Sequence, residues 1–414
     1  MKILFVHQNF PGQYKHLAPA LAADPANEVV ALRLGEDAAW GRVRVLGYKV
    51  APEAIAKADP KAVHPWLSDL QVKVLRGEAA SRRALALRAE GFVPDVIVAH
   101  PGWGETLFLR EIWPQARLGL YCEFFYRAEG SDVGFDPEFP QSGDALANAS
   151  RLRLKNANAL LSLEEAARGL SPTAWQKSQY PQRLQAMIDV IHDGIDTRQL
   201  CPDGRVSMRL NGSRTLTRAD EVITFVNRNL EPYRGYHVFM RALPEILVRR
   251  PQARVIIVGG NEVSYGAAPP PGKTWRSIFF DEVRERIDAS RVHFVGRIPY
   301  PDFVRLLQLS SAHVYLTYPF VLSWSLLEAM SVACPIVASR TPPVEEALAD
   351  EETALLTDFF DPEALADAVC RLLADRALGQ RLGSAARKVA VERYDLASRC
   401  LPAQIEWVRR LAAG

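Results

Sequence analysis

Residues 223–249 read ITFVNRNLEPYRGYHVFMRALPEILVR, and this stretch decides the fold class. The β-branched run Ile223–Val226 is followed by a polar loop that contains a glycine, and then by an amphipathic stretch at Tyr236–Arg249. A short buried strand that leads into a helix is the βα unit of parallel sheets covered by helices on both faces. The pattern therefore predicts an α/β protein.

The same unit recurs on both sides of Pro181. The predicted strands are Ile3–Val6, Val29–Leu32, Val96–Ala99, Leu118–Tyr121, Leu160–Leu163, Ile223–Val226, Val255–Val258, His293–Val295, Val314–Thr317 and Ile336–Ala338. Between the two sets, a strand runs into Asp193-Gly194, a dipeptide typical of a turn. We therefore expect two doubly wound domains, residues 1–190 and 191–395, followed by a helical segment at residues 396–414.

Length and composition are those of an ordinary globular protein. The 414 residues suit two large domains, and 48% hydrophobic with 24% charged residues excludes a disordered or fibrous chain. Lysine and arginine number 50 against 48 acidic residues, which gives a net charge of +2. Such a balance supplies no strong field to hold nucleic acid, and we expect no nucleic-acid partner.

Cysteine usage and hydropathy exclude further classes. The five cysteines include no C-x-x-C pair, so neither a zinc site nor a dithiol redox site is indicated. The N-terminal apolar run Ile3–Val6 is too short for a signal peptide, and no stretch approaches the roughly 20 apolar residues of a membrane span. We expect a cytoplasmic protein.

Candidate site residues follow the predicted strands, because doubly wound sheets bind ligands beyond the carboxyl ends of their strands. Arg228 and Arg234 follow Ile223–Val226, and the guanidinium fork suits the oxygen atoms of a diphosphate. Alternatively, either arginine is a solvated surface cation. Gly12 follows the first strand, where it either lets the backbone approach a ligand or only forms a tight turn.

A third segment follows the strand Val314–Thr317. A helix is expected to begin near Ser323–Ser325, and its N-terminal N–H groups would favour an anion. Glu328 allows two interpretations. It binds a ligand, or it completes the capping box that begins at Ser325 and binds nothing.

Together these segments resemble the retaining glycosyltransferases of the GT-B fold, family GT4. Arg228 with Arg234-Gly235 is similar to that family's Arg and Lys-Gly pair at the donor phosphates. Leu327–Met330 followed by Pro335–Ser339 is similar to its nucleotide-binding signature. The sequence departs from the family at Phe320, where the signature has its first glutamate, a residue that usually contacts the transferred sugar.

The resemblance implies two Rossmann-like domains that face each other across a cleft, with a C-terminal helix that returns to the first domain. It implies transfer of a hexosyl group from a UDP- or GDP-sugar on the second domain to a hydroxyl acceptor on the first, with retention at the anomeric carbon. The acceptor is a sugar, a lipid-linked molecule or another small molecule, as in polysaccharide, glycolipid or glycoconjugate biosynthesis. Arg228 and Arg234 would stabilise the leaving diphosphate, so neither a divalent metal nor another cofactor is expected.

The resemblance also assigns the other site residues. Glu328 would bind the ribose hydroxyls and Arg297-Ile298 would border the base. Further donor contacts are expected at Gly12, Gly259, Ser323, Trp324 and Ser325. On the first domain, His100 and Glu123 end two strands and are expected to take part in catalysis, although many relatives have a histidine near the position of Glu123. Each of these two side chains could instead be a satisfied structural polar group.

Other interpretations remain open. The basic helical stretch Arg82–Arg88 is either a peripheral contact at the inner face of a membrane or, as we favour, a solvated helix face. A dinucleotide-dependent oxidoreductase also uses Rossmann-like domains, but it needs a glycine fingerprint that Gly12 alone does not supply. A non-catalytic nucleotide-sugar-binding protein would result if Phe320 has abolished activity.

Overall fold

The computed structural model describes residues 1–50, 63–141, 143–210 and 214–414. The chain divides into two compact units. The first contains Met1–Gly134, Pro140–Asp193 and Ala397–Gly414, and the second contains Phe135–Phe139 and Gly194–Leu396. None of the helices in the described ranges combines the length and the apolarity needed to span a membrane.

The first unit is built on an eight-stranded sheet. Its strands are β1 Lys2–Val6, β2 Glu28–Leu34, β3 Ala38–Trp40, β4 Val43–Tyr48, β5 Val96–Ala99, β6 Arg117–Tyr121, β7 Arg168–Ser171 and β8 Ile188–Val190. They lie in the order β3-β4-β2-β1-β5-β6-β7-β8, and every neighbouring pair is parallel except β3 with β4. The order reverses between β1 and β5, and the carboxyl ends of these two strands therefore open a crevice.

Helices cover both faces of this sheet. They span Leu17–Ala23, Ser68–Ala89, Leu109–Ile112, Ala145–Lys155, Ala157–Glu164, Ala174–Ser178, Gln182–Gln185 and Leu401–Ala413. The last helix belongs to the first unit, where the buried Trp407, Val408 and Leu411 share one core cluster with Ile3 and Phe5 of β1. The α/β fold class and the return of the C-terminal helix are therefore confirmed.

The second unit contains a six-stranded parallel sheet. Its strands are β11 Val222–Asn229, β12 Arg254–Gly260, β13 Val292–Gly296, β14 Ala312–Tyr315, β15 Ile336–Ser339 and β16 Leu355–Thr357, and they are preceded by the antiparallel pair β9 Ser207–Leu210 and β10 Arg214–Thr217. The order is β13-β12-β11-β14-β15-β16, so the reversal lies between β11 and β14. The helices span Tyr236–Arg249, Trp275–Val283, Tyr300–Leu309, Trp324–Ser331, Pro342–Glu345, Pro362–Ala374 and Arg376–Tyr394.

The second unit also contains five residues from the first half of the chain, a contribution that the sequence did not indicate. The ring of Phe135 contacts Tyr318 at a centroid distance of 5.1 Å. Asp136 accepts hydrogen bonds from the Tyr318 hydroxyl at 2.8 Å and from His237 Nε2 at 3.0 Å. Glu138 forms a bidentate pair with Arg241. Apolar and ionic contacts together therefore hold residues 135–139 to this unit.

One predicted strand is wrong. Leu160–Leu163 lies in the helix Ala157–Glu164, and the strand of this region is β7, which begins at Arg168. The buried positions Ala159, Ser162 and Leu163 are three and four residues apart, which is helical spacing. A short apolar run does not distinguish a strand from a buried helix by its period alone, and here the helix is the correct assignment.

Candidate active site

A cavity of about 620 Å³ lies at the carboxyl ends of the strands of the second unit. It is lined by Val226, Asn227, Arg228, Asn229, Glu231, Arg234, Val258, Tyr265, Arg297, Ile298, Tyr300, Phe303, Ser323 and Ser325. Six of these residues were expected at the donor: Arg228 near the end of β11 and Arg234 after it, Arg297-Ile298, and the two serines. The cavity lies where the strand order reverses, which is where doubly wound sheets bind ligands.

Arg234 is held rigidly at the wall of this cavity. Its side chain is buried, with 6% of the residue exposed, and Nη1 donates to Thr317 Oγ1 at 2.7 Å and to the Val321 carbonyl at 3.2 Å. The next residue, Gly235, has a φ of +68°, and a Cβ there would lie 2.3 Å from Leu316. Only glycine fits this close approach, which explains why a glycine follows Arg234.

The cavity wall is positively charged. Arg228 is exposed, and within the described part of the chain neither Arg228 nor Arg234 forms an ion pair with a carboxylate. Glu231 also lines the cavity, and its Oε2 accepts from the backbone N–H groups of Ser264 and Tyr265. Burial raises the pKa of Glu231 above its usual value, although those N–H groups and the two arginines oppose the shift. Two arginines that form no close ion pair with a carboxylate suit an anionic ligand.

Phe320 packs beside Arg234. It is 6% exposed, and its ring lies 4.9 Å from Tyr265 and 5.5 Å from Tyr233. The Arg234 guanidinium carbon lies 5.8 Å from the centre of the Phe320 ring and 5.3 Å from that of Tyr265. Cation–π attraction therefore stabilises the arginine where the family signature would place a carboxylate, and the positive charge stays available to a ligand.

Glu328 does not cap its helix, so the capping-box alternative is wrong. The helix begins at Trp324, and its cap is Ser323, whose side chain accepts from the backbone N–H of Ser325 at 3.3 Å. Glu328 is one turn beyond the capping position and is buried. Its Oε1 accepts a 2.7 Å hydrogen bond from the hydroxyl of Tyr300, which lines the cavity. Glu328 therefore acts on the cavity wall rather than on the helix terminus.

Of the other residues predicted at the donor, Arg297 lines the cavity, whereas Trp324 and Gly259 do not. Trp324 is the first residue of its helix and is partly buried against the core, and it does not line the cavity. Gly259 lies in β12, where a Cβ would approach Leu230 to 2.7 Å. Arg297 does line the cavity, and its Nη2 donates to Asn229 Oδ1 at 3.3 Å and pairs with Glu262.

In the first unit, the ends of β1, β5 and β6 bring four polar side chains together. Gln13 Nε2 donates to one oxygen of Glu123 at 2.7 Å, and His100 Nε2 lies 3.3 Å from the other oxygen. His7 Nε2 lies 2.7 Å from Gln13 Oε1. The imidazole of His100 also stacks on Trp103 at a centroid distance of 4.3 Å. His100 and Glu123 were predicted from the sequence, whereas His7 and Gln13 were not.

The network determines the charge of its members. Burial, followed by the neighbouring His100, lowers the pKa of His7 to about 3, so His7 is neutral at physiological pH. Burial opposes ionisation of Glu123, but the hydrogen bond from His100, the electrostatic influence of His100 and His7, and the hydrogen bond from Gln13 outweigh it, and the pKa of Glu123 lies below its usual value. The cluster therefore carries an ionised carboxylate that accepts hydrogen bonds from His100 and Gln13.

Gly12 lies beside this cluster in the first unit. Its φ is +47°, and a Cβ there would lie 2.4 Å from the His7 ring. The glycine therefore makes room for His7. The signal that could have revealed His7 is its position directly after β1, and Tyr265 lies in the loop that follows β12.

Two further groups bear on partners and metals. The arginines of the basic stretch on the helix Ser68–Ala89 have partners within the first unit. Arg82 pairs with Glu78, Arg83 pairs with Asp37, and Arg88 donates to the Ile112 carbonyl. These contacts favour a structural helix face. Asp136, Glu138 and His237 offer ligand atoms within 4.8 Å of one another, but the contacts described above to Tyr318 and Arg241 already engage both carboxylates.

Comparison with known proteins agrees with this geometry. The model of the glycosyl transferase family 4 group matches residues 25–200, and that of the glycosyl transferases group 1 matches residues 213–389. The D-inositol 3-phosphate glycosyltransferase of Corynebacterium efficiens is 30% identical over 199 residues, 47% of this chain and 45% of that protein. The phosphatidyl-myo-inositol mannosyltransferase of Mycolicibacterium smegmatis is 30% identical over 43% of this chain and 42% of its own length. The matched segment is thus less than half of either relative.

Solved structures match the whole chain. The sucrose-phosphate synthase of Thermosynechococcus elongatus has a TM-score of 0.74 at 19% identity, with 100% of both chains covered. Anabaena HepE in complex with UDP and glucose has a TM-score of 0.69 at 15% identity and covers 99% of this chain and 100% of its own. At these identities the likeness shows the fold, which is GT-B. The two family matches lie in succession along most of the sequence, and the chain belongs to the GT4-type glycosyltransferases.

Proposed function

We propose that this protein transfers a hexosyl group from a nucleoside diphosphate sugar to a hydroxyl acceptor, with retention of configuration at the anomeric carbon. The observation that carries the proposal is the donor cavity of the second unit, where Arg228 and Arg234 present positive charge with no carboxylate partner among the described residues. The N-terminus of the helix Trp324–Ser331 adds N–H groups beside Ser323 and Ser325, which also line the cavity. Both features favour a diphosphate.

The chemistry follows from this charge. The bond between the anomeric carbon and the β-phosphate oxygen breaks with its electron pair on the phosphate, and Arg228 and Arg234 stabilise the negative charge that develops. The acceptor oxygen forms the new bond to the same carbon, and the leaving phosphate takes the acceptor's proton. Glu328, with Tyr300, holds the ribose hydroxyls, and Arg297-Ile298 border the base. Because two guanidiniums already supply the positive charge, we propose that no divalent metal takes part.

The names of the relatives support a UDP- or GDP-sugar donor and a polyol acceptor. Structural neighbours were solved with UDP and glucose and with UDP-2-fluoro glucose. One relative is named as a GDP-mannose-dependent mannosyltransferase, and others act by name on inositol 3-phosphate or phosphatidyl-myo-inositol. We propose an acceptor of the polyol type, either a free molecule or a lipid headgroup, and a role in glycolipid or glycoconjugate synthesis.

Phe320 favours one alternative, a protein that binds a nucleotide sugar without transferring it. An aromatic ring there cannot accept a hydrogen bond from the sugar, as the glutamate of the family signature would. The dinucleotide-dependent oxidoreductase has no comparable support, because Gly12 accommodates His7 and the chain belongs to a transferase family.

Two measurements test the proposal. Calorimetric titration with UDP and GDP should show that one of them binds, and release of the nucleotide from UDP-glucose or GDP-mannose should be enzyme-dependent and unchanged after dialysis against EDTA. Binding without release, with or without added polyols, would identify the non-catalytic alternative. Absence of any nucleotide binding would refute both.

A further inference from the structure

The polar cluster of the first unit carries a negative charge that no described cation neutralises. Both oxygens of Glu123 accept hydrogen bonds, one from Gln13 Nε2 at 2.7 Å and the other from His100 Nε2 at 3.3 Å. Among the residues that the structure describes, no lysine or arginine pairs with Glu123, and the only basic side chain within ion-pair distance of it is His100, at 3.3 Å. The charge state of the imidazoles therefore decides the charge of the whole cluster.

Backbone contacts fix the orientation of both imidazoles. The N–H of Asn9 donates to His7 Nδ1 at 2.9 Å, and the N–H of Gly102 donates to His100 Nδ1 at 3.0 Å. A nitrogen that accepts a hydrogen bond carries no proton, so each ring has its proton on Nε2. Neither ring can gain a second proton without losing its backbone contact. His100 therefore donates to Glu123 through Nε2.

Glu123 can reach a ligand. Its side chain is 29% exposed, whereas that of His100 is only 4% exposed. An ionised carboxylate has about four lone-pair positions, and the contacts from His100 and Gln13 use two of them. The backbone carbonyl of Glu123 accepts from Gln176 Nε2 at 2.6 Å, which holds the main chain at this strand end in place. The cluster is thus a rigid acceptor of hydrogen bonds that repels anions.

We propose that Glu123 determines acceptor specificity: it binds a hydroxyl group of a neutral polyol and excludes a phosphate from that position. Gln13 and His7 are positioning residues, because they orient the carboxylate through a chain of hydrogen bonds that starts at the backbone of Asn9. The inference rests on the proposed transferase function and deepens it. It names the class of acceptor group that meets the first unit.

The experiment uses the full chain with UDP-glucose and GDP-mannose as donors. The acceptors are myo-inositol and glucose, each compared with its monophosphate, and the readout is acceptor-dependent nucleotide release. We expect at least one neutral acceptor to be used, with at least 10-fold higher kcat/KM than its phosphate. Glu123→Gln, a near-isosteric change, should lower kcat/KM for the neutral acceptor about 10- to 100-fold and reduce the preference over the phosphate by at least 10-fold, while UDP affinity stays the same.

The positioning role has its own readout. Gln13→Met should raise the acceptor KM at least 5-fold with an unchanged UDP affinity, whereas the control Gln185→Met, which loses hydrogen bonds to the carbonyls of Tyr180 and Ser178, should change neither. Side-chain ¹⁵N NMR at pH 7 should show His7 and His100 with the proton on Nε2, a result that does not depend on finding an acceptor. A charged His100, a preference for the phosphates that Glu123→Gln leaves unaltered, or nucleotide release that no neutral acceptor accelerates would each overturn the inference. Failure of the wild type to bind UDP or GDP would instead refute the proposed function.

Discussion

Replacing Arg234 by methionine should weaken nucleotide binding and turnover while the protein remains folded. Methionine keeps much of the apolar stem that packs beside Phe320 and Tyr265, and it removes the charge and the donors. The guanidinium makes two hydrogen bonds to uncharged oxygens, those of Thr317 and Val321, and pairs with no carboxylate among the described residues. Its charge is therefore available mainly to the ligand.

The magnitudes follow from these contacts. A charge-assisted hydrogen bond contributes about 1.5–3 kcal/mol, which predicts a UDP or GDP affinity about 10- to 100-fold weaker. Charge that develops only in the transition state adds a further loss, so turnover should fall about 10²- to 10³-fold. Stability should change little, because the lost hydrogen bonds are offset by removal of a buried cation that has no carboxylate partner.

Calorimetry with UDP and GDP, nucleotide release and thermal unfolding measure the three quantities. Arg305→Met is the matched control, since Arg305 is exposed, pairs with Asp302 and does not line the cavity. It should behave like the wild type in all three assays. Wild-type nucleotide affinity in a folded Arg234→Met protein would refute the reasoning, and so would an equal loss in both variants.

Three further outcomes are expected. Glu328→Gln should weaken nucleotide binding about 10-fold or more with little loss of stability, because Glu328 holds Tyr300 rather than a helix end; calorimetry that shows wild-type affinity would contradict the ribose assignment. Trp407→Ala should destabilise the first unit by about 3–5 kcal/mol, since a fully buried indole is lost; an unchanged urea midpoint would exclude this packing role. Burial lowers the pKa of His313 to about 4, below the value of about 6.5 in the unfolded chain. Between these values the unfolded state binds a proton that the folded state does not, so the free energy of unfolding should fall by up to about 3 kcal/mol as the pH falls from 6.5 to 4. His313→Asn should reduce this slope in urea unfolding, and an identical pH dependence would show that His313 is not the source.

Much of the donor side could be predicted from local sequence. A β-branched run, a loop with a glycine and an amphipathic stretch predict a βα unit, and the carboxyl ends of parallel strands meet at one edge. Arg228, Arg234 and Ser323 were expected at a ligand site for this reason, and Arg297 because of the family resemblance; the structure brings all four to one cavity.

The errors arose where local patterns are ambiguous. Leu160–Leu163 has the composition of a strand, but its neighbours have helical spacing, and the run is too short for its period to decide. The Ser-x-x-Glu pattern that begins at Ser325 fits a capping box, but the cap of the helix is Ser323, two residues earlier. A shift of this size changes the role of Glu328 completely, because it turns the carboxylate from the helix terminus towards Tyr300.

By itself the sequence determined the α/β class, the two sets of strands and the strand ends at which chemistry is expected, because these depend on periodicity and turn residues within short windows. Only the tertiary structure decided which distant side chains meet. Gln13 reaches Glu123 across 110 positions, and Asp136 pairs with His237 in the second unit although it comes from the first half of the chain. Strand order and packing, not local propensity, bring such residues together, so the charge of the first-unit cluster and the uncompensated charge of Arg234 follow from the fold alone.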